Sequence, residues 1–163
     1  MRMPNSFRTS LLSACILSAA VSIGQPALAA TIHMIPQGDL KILDPIQNPS
    51  YITRNHGYMI YDTLFAQNAK GAIKPQMVDS WKVSADKKTW SFKLRDGLKW
   101  SDGTPVTASD CVASLKRWGG RDVSGRLLFA AVGEIKVVDT ANFIITLKSP
   151  FGPVLEMLGK PSS

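Results

Sequence analysis

The sequence predicts an α+β fold, and three observations carry that prediction. Apolar and polar residues alternate with period two in "TWSFKLR" and "NFIITLK", one amphipathic stretch with a helix-start signal lies between them, and turn residues sit where the alternation stops. No stretch of the 163 residues repeats, and no low-complexity tract interrupts them. The first 29 residues stand apart. "MRMPNSFRTS" carries Arg2 and Arg8 and no acid; the apolar run "LLSACILSAAVSIG" and then "QPALAA" follow it. That order is a secretory signal peptide, with cleavage expected after Ala29. The apolar run is too short and too rich in Ser for a membrane-spanning helix. "LSAC", ending at Cys15, has the form of an acylation box, but only Leu11 and Leu12 supply apolar length before it, so simple cleavage is the expectation.

From residue 30 the elements follow in order. "TIHMIPQGDLKILDPIQNPS" begins as a short apolar strand and is then broken by Pro36, Gly38, Pro45 and Pro49, so irregular chain is expected. In "YITRNHGYMIYDTLFAQNAKG", Ile52, Met59, Ile60, Leu64 and Phe65 recur at near-helical spacing, which predicts a helix stopping at Gly71. After Gly71 the period becomes two. "SWKVS", with Trp81 and Val83, pairs with "TWSFKLR", where Trp90, Phe92 and Leu94 share a face, across the polar connection "ADKK". "LKW" is expected as a third short strand. Thr107 is a good N-cap with Asp110 three residues on in capping-box position; Val112, Leu115 and Trp118 form the helix's apolar stripe, and Gly119-Gly120 are expected to end it. "EIKVVD" and "NFIITLK" then make a second hairpin, with Phe143, Ile145 and Leu147 on one face. Residues 72 to about 150 thus form a small antiparallel sheet with one main helix.

Charge and chemistry narrow the function. Without Arg2 and Arg8, 17 basic residues face 12 acidic ones, a formal net charge of +5. Lys87-Lys88 and Lys116-Arg117 are the only adjacent basic pairs after the leader, and no basic run is interleaved with aromatics as a nucleic-acid surface requires. Cys111, alone after the leader, reads as a buried, inert thiol with no partner inside this chain. Asp96, Asp102 and Asp110 crowd one stretch beside Trp100, which raises a carboxylate-pair hydrolase as one reading. Each has a structural use, however: Asp96-Gly97 and Asp102-Gly103 sit at strand reversals, and Asp110 meets a helix start. No closing Glu follows at calcium-loop spacing. G-x-S-x-G, H-E-x-x-H and G-x-G-x-x-G are all absent, and "GPVLEMLGKPS" has its glycines too far apart for a phosphate loop, with Pro161 after Lys160. His33 and His56 are far apart and have no Cys beside them, so no metal site is expected. Trp81, Trp90, Trp100 and Trp118 are expected to pack a core.

"MVDSWKVSADKKTWSFKLRDGLKWSDGTPVTASDCVASLKRW" resembles the signature region of the bacterial extracellular solute-binding proteins of family 5, the dipeptide, oligopeptide and nickel type. Trp81 and Trp90 fall in its aromatic-rich hairpin. Arg95, Gly97, Trp100, Asp102, Gly103, Pro105, Thr107 and Asp110 occupy the places of its Arg-x-Gly-x-x-Trp-x-Asp-Gly-x-Pro stretch and following helix. "LDP", "YDTLF" and "SPFGPVLEML" fit as well; the turn "ADKKT" departs, since the family often has a Gly there. The resemblance implies part of a two-lobed periplasmic binding protein of the class II type, a receptor that hands its ligand to the permease of an ABC importer, with no cofactor and no catalysis, monomeric at full length. The ligand would be a peptide, or one of the nickel complexes, haems, sugars and opines known in the family. Residues 30–71 would start the first lobe and 72–163 its flanking subdomain, as an N-terminal fragment whose second lobe is absent and which binds no peptide tightly alone. The signature residues would then be scaffold. The ligand candidates are Asp39, Lys41 and Tyr58, in "GDLKILD" and "NHGYMIY". In so short a chain Ile144, Val154, Leu155 and Leu158 are expected to be exposed and prone to aggregate. A secreted hydrolase and a stand-alone partner-binding module are the rival readings.

Overall fold

The computed structural model describes residues 35–159 together with Thr31 and His33. Along the chain come helix α1 (Tyr51–Ile60), strands β1 (Phe65–Gln67), β2 (Ile73–Pro75), β3 (Val78–Val83) and β4 (Thr89–Leu94), helices α2 (Ala108–Arg121) and α3 (Val123–Ala131), strands β5 (Val132–Val137) and β6 (Asn142–Leu147), and helix α4 (Val154–Gly159). The signal peptide with Cys15, Ile32 of the expected first strand, and Lys160-Pro161 lie outside the described residues.

Alternation decides the centre of the fold. β4 turns Trp90, Phe92 and Leu94 inward, and β6 does the same with Phe143, Ile145 and Leu147. The two pair antiparallel, with Phe92 opposite Phe143 and Trp90 opposite Ile145, and the two Phe rings stack 5.0 Å apart at 19°. β3 pairs with the outer side of β4 and β5 with the outer side of β6, giving an antiparallel sheet in the order β3-β4-β6-β5. Each edge strand carries a register shift, at Val78/Ser80 in β3 and Val132/Glu134 in β5. α2 lays Val112 and Leu115 into the core, with Trp118 half-buried beside them.

Several expectations need correction. The expected first strand falls partly outside the described residues, at Ile32 and Met34; from residue 35 to β1 the chain is irregular apart from α1. The first helix stops at Ile60 rather than near Gly71, because Leu64 and Phe65 leave its stripe to enter the sheet's core. Phe65 is 1% exposed and sits edge-on to both Trp81, at 5.3 Å, and Phe92, at 6.0 Å. Gly71, at φ 76°, serves the β1–β2 hairpin turn, where its N–H donates to the Asn68 carbonyl. Ile52 stays half-buried on α1, while Met59 and Ile60 face outward. "LKW" supplies a single bridge, Lys99 to Pro105, flanked by the Trp100 N–H donating to the Thr104 carbonyl at 2.8 Å and the Val106 N–H to the Leu98 carbonyl at 3.1 Å. Trp100 and Trp81 are not core residues: they are 47% and 37% exposed.

The largest correction concerns Gly119-Gly120. α2 runs through them to Arg121, and a second helix, α3, follows at once. Asp122 closes one helix through its N–H to the Trp118 carbonyl and caps the next, accepting the Gly125 N–H at 2.9 Å. Gly119 is there for close approach: a Cβ would lie 2.4 Å from the Phe129 ring. A Cβ at Gly125 would lie 2.5 Å from the Trp118 carbonyl oxygen. Lastly, α4 returns against β1, β2 and α3, which leaves Val154 fully buried, Leu158 8% exposed, and Leu155 and Ile144 half-buried, so the expected exposed apolar patch is not there.

Candidate functional site

The acid-rich stretch is built from backbone corners. At the first reversal Gly97 takes φ 79° and the Arg95 N–H donates to the Met77 carbonyl at 3.0 Å. At the second, Gly103 takes φ 86° and Asp102 Oδ1 accepts from both the N–H (2.9 Å) and the hydroxyl (2.6 Å) of Thr104. Asp110 completes a capping box: its Oδ2 accepts from the Thr107 N–H at 2.8 Å and hydroxyl at 2.7 Å, while its own N–H donates to Thr107 Oγ1. Hydrogen bonds from these Thr hydroxyls, then from Thr N–H groups, hold both carboxyls below the ordinary carboxylate value, and the Trp100 side chain adds to the effect at Asp110. A general acid for glycoside cleavage needs its pKa raised. Both shifts therefore run the wrong way, and both carboxylates are held by main-chain donors. Trp90 takes its place in the core, Trp81 and Trp100 lie at the surface, and Pro105 makes the single bridge to Lys99.

The other candidates lie ahead of the sheet. Asp44 Oδ1 accepts the Ile46 N–H and Asn48 Oδ1 the Ser50 N–H, folding "LDPIQNPS" into successive turns. Thr53, fully buried on α1, donates its hydroxyl to the Ile42 carbonyl at 2.9 Å. Gly57 comes next along the same face, and a Cβ there would approach the Pro45 ring at 3.0 Å. The 42–48 turns and α1 thereby form one small module. Across the gap to α2, Arg117 meets Asp44 with both arms of its guanidinium, Nη1 to Oδ1 at 3.2 Å and Nη2 to Oδ2. That pairing first, with the Ile46 N–H assisting, lowers the Asp44 pKa, and it raises that of Arg117.

Asp39 and Lys41 are exposed in the irregular chain before this module. Tyr58 is 44% exposed and lines a small cavity of about 40 Å³ with Pro45, Arg54, Gly57, Tyr61 and Thr63; neither Asp39 nor Lys41 reaches that lining. Sequence reading named none of the other five lining residues as a contact, Arg54 and Tyr61 included, although Tyr61 ends the stretch "NHGYMIY" that it singled out. A signal for them exists: Tyr51, Arg54 and Tyr58 follow one another by three and four residues, which is one helix face, and Tyr61, three further on, is the C-cap where the backbone turns extended. Arg54 lies over the Tyr51 ring, 4.3 Å from its centroid. The result is an outward stripe of three phenols and a guanidinium, able to stack on flat groups, donate hydrogen bonds and meet a negative charge. Cys111 faces the core instead, and burial pushes its thiol pKa up to about 11. No cluster of three His, Cys, Asp or Glu that would hold a metal occurs among the described residues.

This scaffold has relatives. Over 155 residues the chain is 41% identical to the probable peptide ABC transporter periplasmic-binding protein y4tO of Sinorhizobium fredii, covering 93% of this chain and 29% of that protein. Among solved structures it resembles the binding protein AgaA in complex with agropinic acid from A.tumefacien R10, with a TM-score of 0.68 and 30% identity over 76% of this chain and 26% of that one. It also resembles peptide-bound OppA of Listeria monocytogenes, with a TM-score of 0.65 and 26% identity over 72% and 27% of the two chains. The chain thus spans less than a third of the length of each. Residues 72–163 match the family model for the middle part of the bacterial extracellular solute-binding proteins, family 5. The four-stranded sheet, the capping box and the turn glycines Gly97 and Gly103 lie within that match, and the chain belongs to the bacterial extracellular solute-binding proteins of family 5.

Proposed function

We propose that this chain is part of the substrate-binding component of an ABC importer, which captures a peptide or a related small solute in the periplasm and delivers it to a membrane permease. The family match over 72–163 carries the reading, and the relatives' printed roles support it: y4tO as a probable peptide ABC transporter periplasmic-binding protein, OppA bound to peptide. The chain contributes one wall of a ligand cleft and no catalytic group; lowered pKa values at Asp102 and Asp110 support a binding role over a hydrolytic one. In this reading the basic leader directs export and Ala29 ends it. Residues up to 71 open the first lobe, and 72–163 form its flanking subdomain.

Tyr58 is the ligand contact this reading places first, with Arg54 and Tyr61 beside it and Asp39 and Lys41 on the approach. Calorimetric titration of the full-length protein with a tripeptide tests it. Tyr58→Ala should weaken binding about tenfold, as loss of an aromatic anchor does, whereas Asp102→Asn should leave affinity within twofold. Unchanged affinity in Tyr58→Ala would remove this face from the cleft. If the tripeptide fails and agropinic acid binds, the receptor reading stands and the solute is an opine instead.

A further inference from the structure

We propose that Asp44 and Arg117 are positioning residues: their forked ion pair sets the α1 module, and with it the Tyr51–Arg54–Tyr58–Tyr61 stripe, at a fixed place against the sheet subdomain. The proposal takes its functional meaning from the cleft reading of that stripe, but the pairing itself is tested without any ligand.

Three observations converge. First, the hydrophobic core, including the half-buried side chains packed on it, runs from Leu64 to Leu158 and takes no side chain from residues 35–60. The module's own buried groups, Thr53 and Gly57, are spent on Ile42 and Pro45 inside it. The sheet's hydrophobic core therefore does not dock it. Second, two ion pairs occur among the described residues, and the other, Lys93 to Asp79, stays within the sheet between β4 and β3. The Asp44 pair instead joins groups 73 positions apart, from the turn under α1 to the outer face of α2. Third, each partner is itself held. Asp44 is fixed by its turn, where Ile46, Gln47 and Asn48 donate backbone N–H groups to its side chain or carbonyl. Arg117 stands on a helix anchored by the capping box and by Val112 and Leu115 in the core.

An exposed ion pair contributes little to global stability. Its effect here is on orientation, because two parallel N–H···O bonds restrict angle as well as distance and no core contact competes with them.

Hydrogen exchange by mass spectrometry on the complete chain decides the matter. Asp44→Asn keeps an acceptor for the Ile46 N–H and removes the charge; Arg117→Gln removes the fork. Each should speed exchange across residues 42–60 about threefold, in keeping with an exposed pair, with β4 and β6 unchanged. The double variant should be no faster than either single one. Raising salt to about 1 M should speed the parent's 42–60 amides by screening and leave both variants as they were. The proposal is overturned by unchanged exchange in 42–60, by additive effects in the double variant, or by equal acceleration in β4 and β6. A failure of Tyr58→Ala to weaken tripeptide binding would leave this result untouched, so the two ideas fall separately.

Discussion

Glycine has opposite meanings at neighbouring positions of this chain. Gly120 lies inside α2 at ordinary helical φ, and a Cβ there would meet nothing within 4 Å. Gly120→Ala should therefore stabilise by about 0.5–1 kcal/mol, by removing backbone freedom from the unfolded chain. Gly125 faces the Trp118 carbonyl oxygen, a backbone atom with nowhere to go. Gly125→Ala should cost about 1–3 kcal/mol, since the two helices must part. Urea denaturation of both variants checks the pair of signs, and two shifts in the same direction would refute this account of the α2–α3 contact. The sequence predicts a helix stop at Gly119-Gly120 because a glycine pair looks alike whether it terminates a helix or admits a neighbour. Only Phe129, across the contact, tells the two apart.

Between β3 and β4, the turn is a Ser-Asp frame. The Ser84 hydroxyl donates to Asp86 Oδ1 and accepts from the Thr89 N–H, and Asp86 Oδ1 accepts the Lys88 N–H. Within it Lys87 takes φ 56°, the left-handed region where a Cβ is unfavourable. Lys87→Gly should raise stability by about 0.5 kcal/mol, less than the full steric penalty because glycine also loosens the unfolded chain; a thermal melt at constant pH reads it. Elements whose determinants are local were legible in the sequence. β4 and β6 follow from alternation, α2's start from Thr107 and Asp110, and the reversals from Gly97 and Gly103. Elements set by distant partners were not. Leu64 and Phe65 have helical spacing relative to Ile60, but both enter the sheet's core, Phe65 from strand β1 against the rings of Trp81 and Phe92. Val154 and Leu158 look unpartnered until β1 and β2 are seen beneath them. At the candidate site, Tyr58 was named from the sequence and the spacing of Arg54 from it was there to be read, but that Pro45 and Thr63 close a cavity beside them follows only once the 42–48 turns and α1 are placed together.

Over the whole molecule, carboxylates held by donors set the acid limit of stability. Asp44, Asp86, Asp102, Asp110 and Asp139 all have pKa values below the ordinary 3.8, through the Arg117 guanidinium at Asp44, hydroxyls at Asp86, Asp102 and Asp110, and the Ala141 N–H at Asp139. Because the folded values lie below the unfolded one, their contribution is present above pH 3.8 and is lost as pH falls through the folded values. Cys111 acts at the other end: its folded value of about 11 exceeds the ordinary 9.0, so stability declines as pH rises from 9 through 11. The urea midpoint should be level from about pH 5 to 8 as far as these groups decide it, and fall on both sides; a decline already between pH 7 and 5 would contradict the assignment. The sheet's margins have a different consequence. β3 and β5 each slip register once, near Asp79 and near Gly133. A foreign strand laid along either border would find the row of donors and acceptors out of step partway, so lateral growth into fibrils is discouraged by the backbone itself.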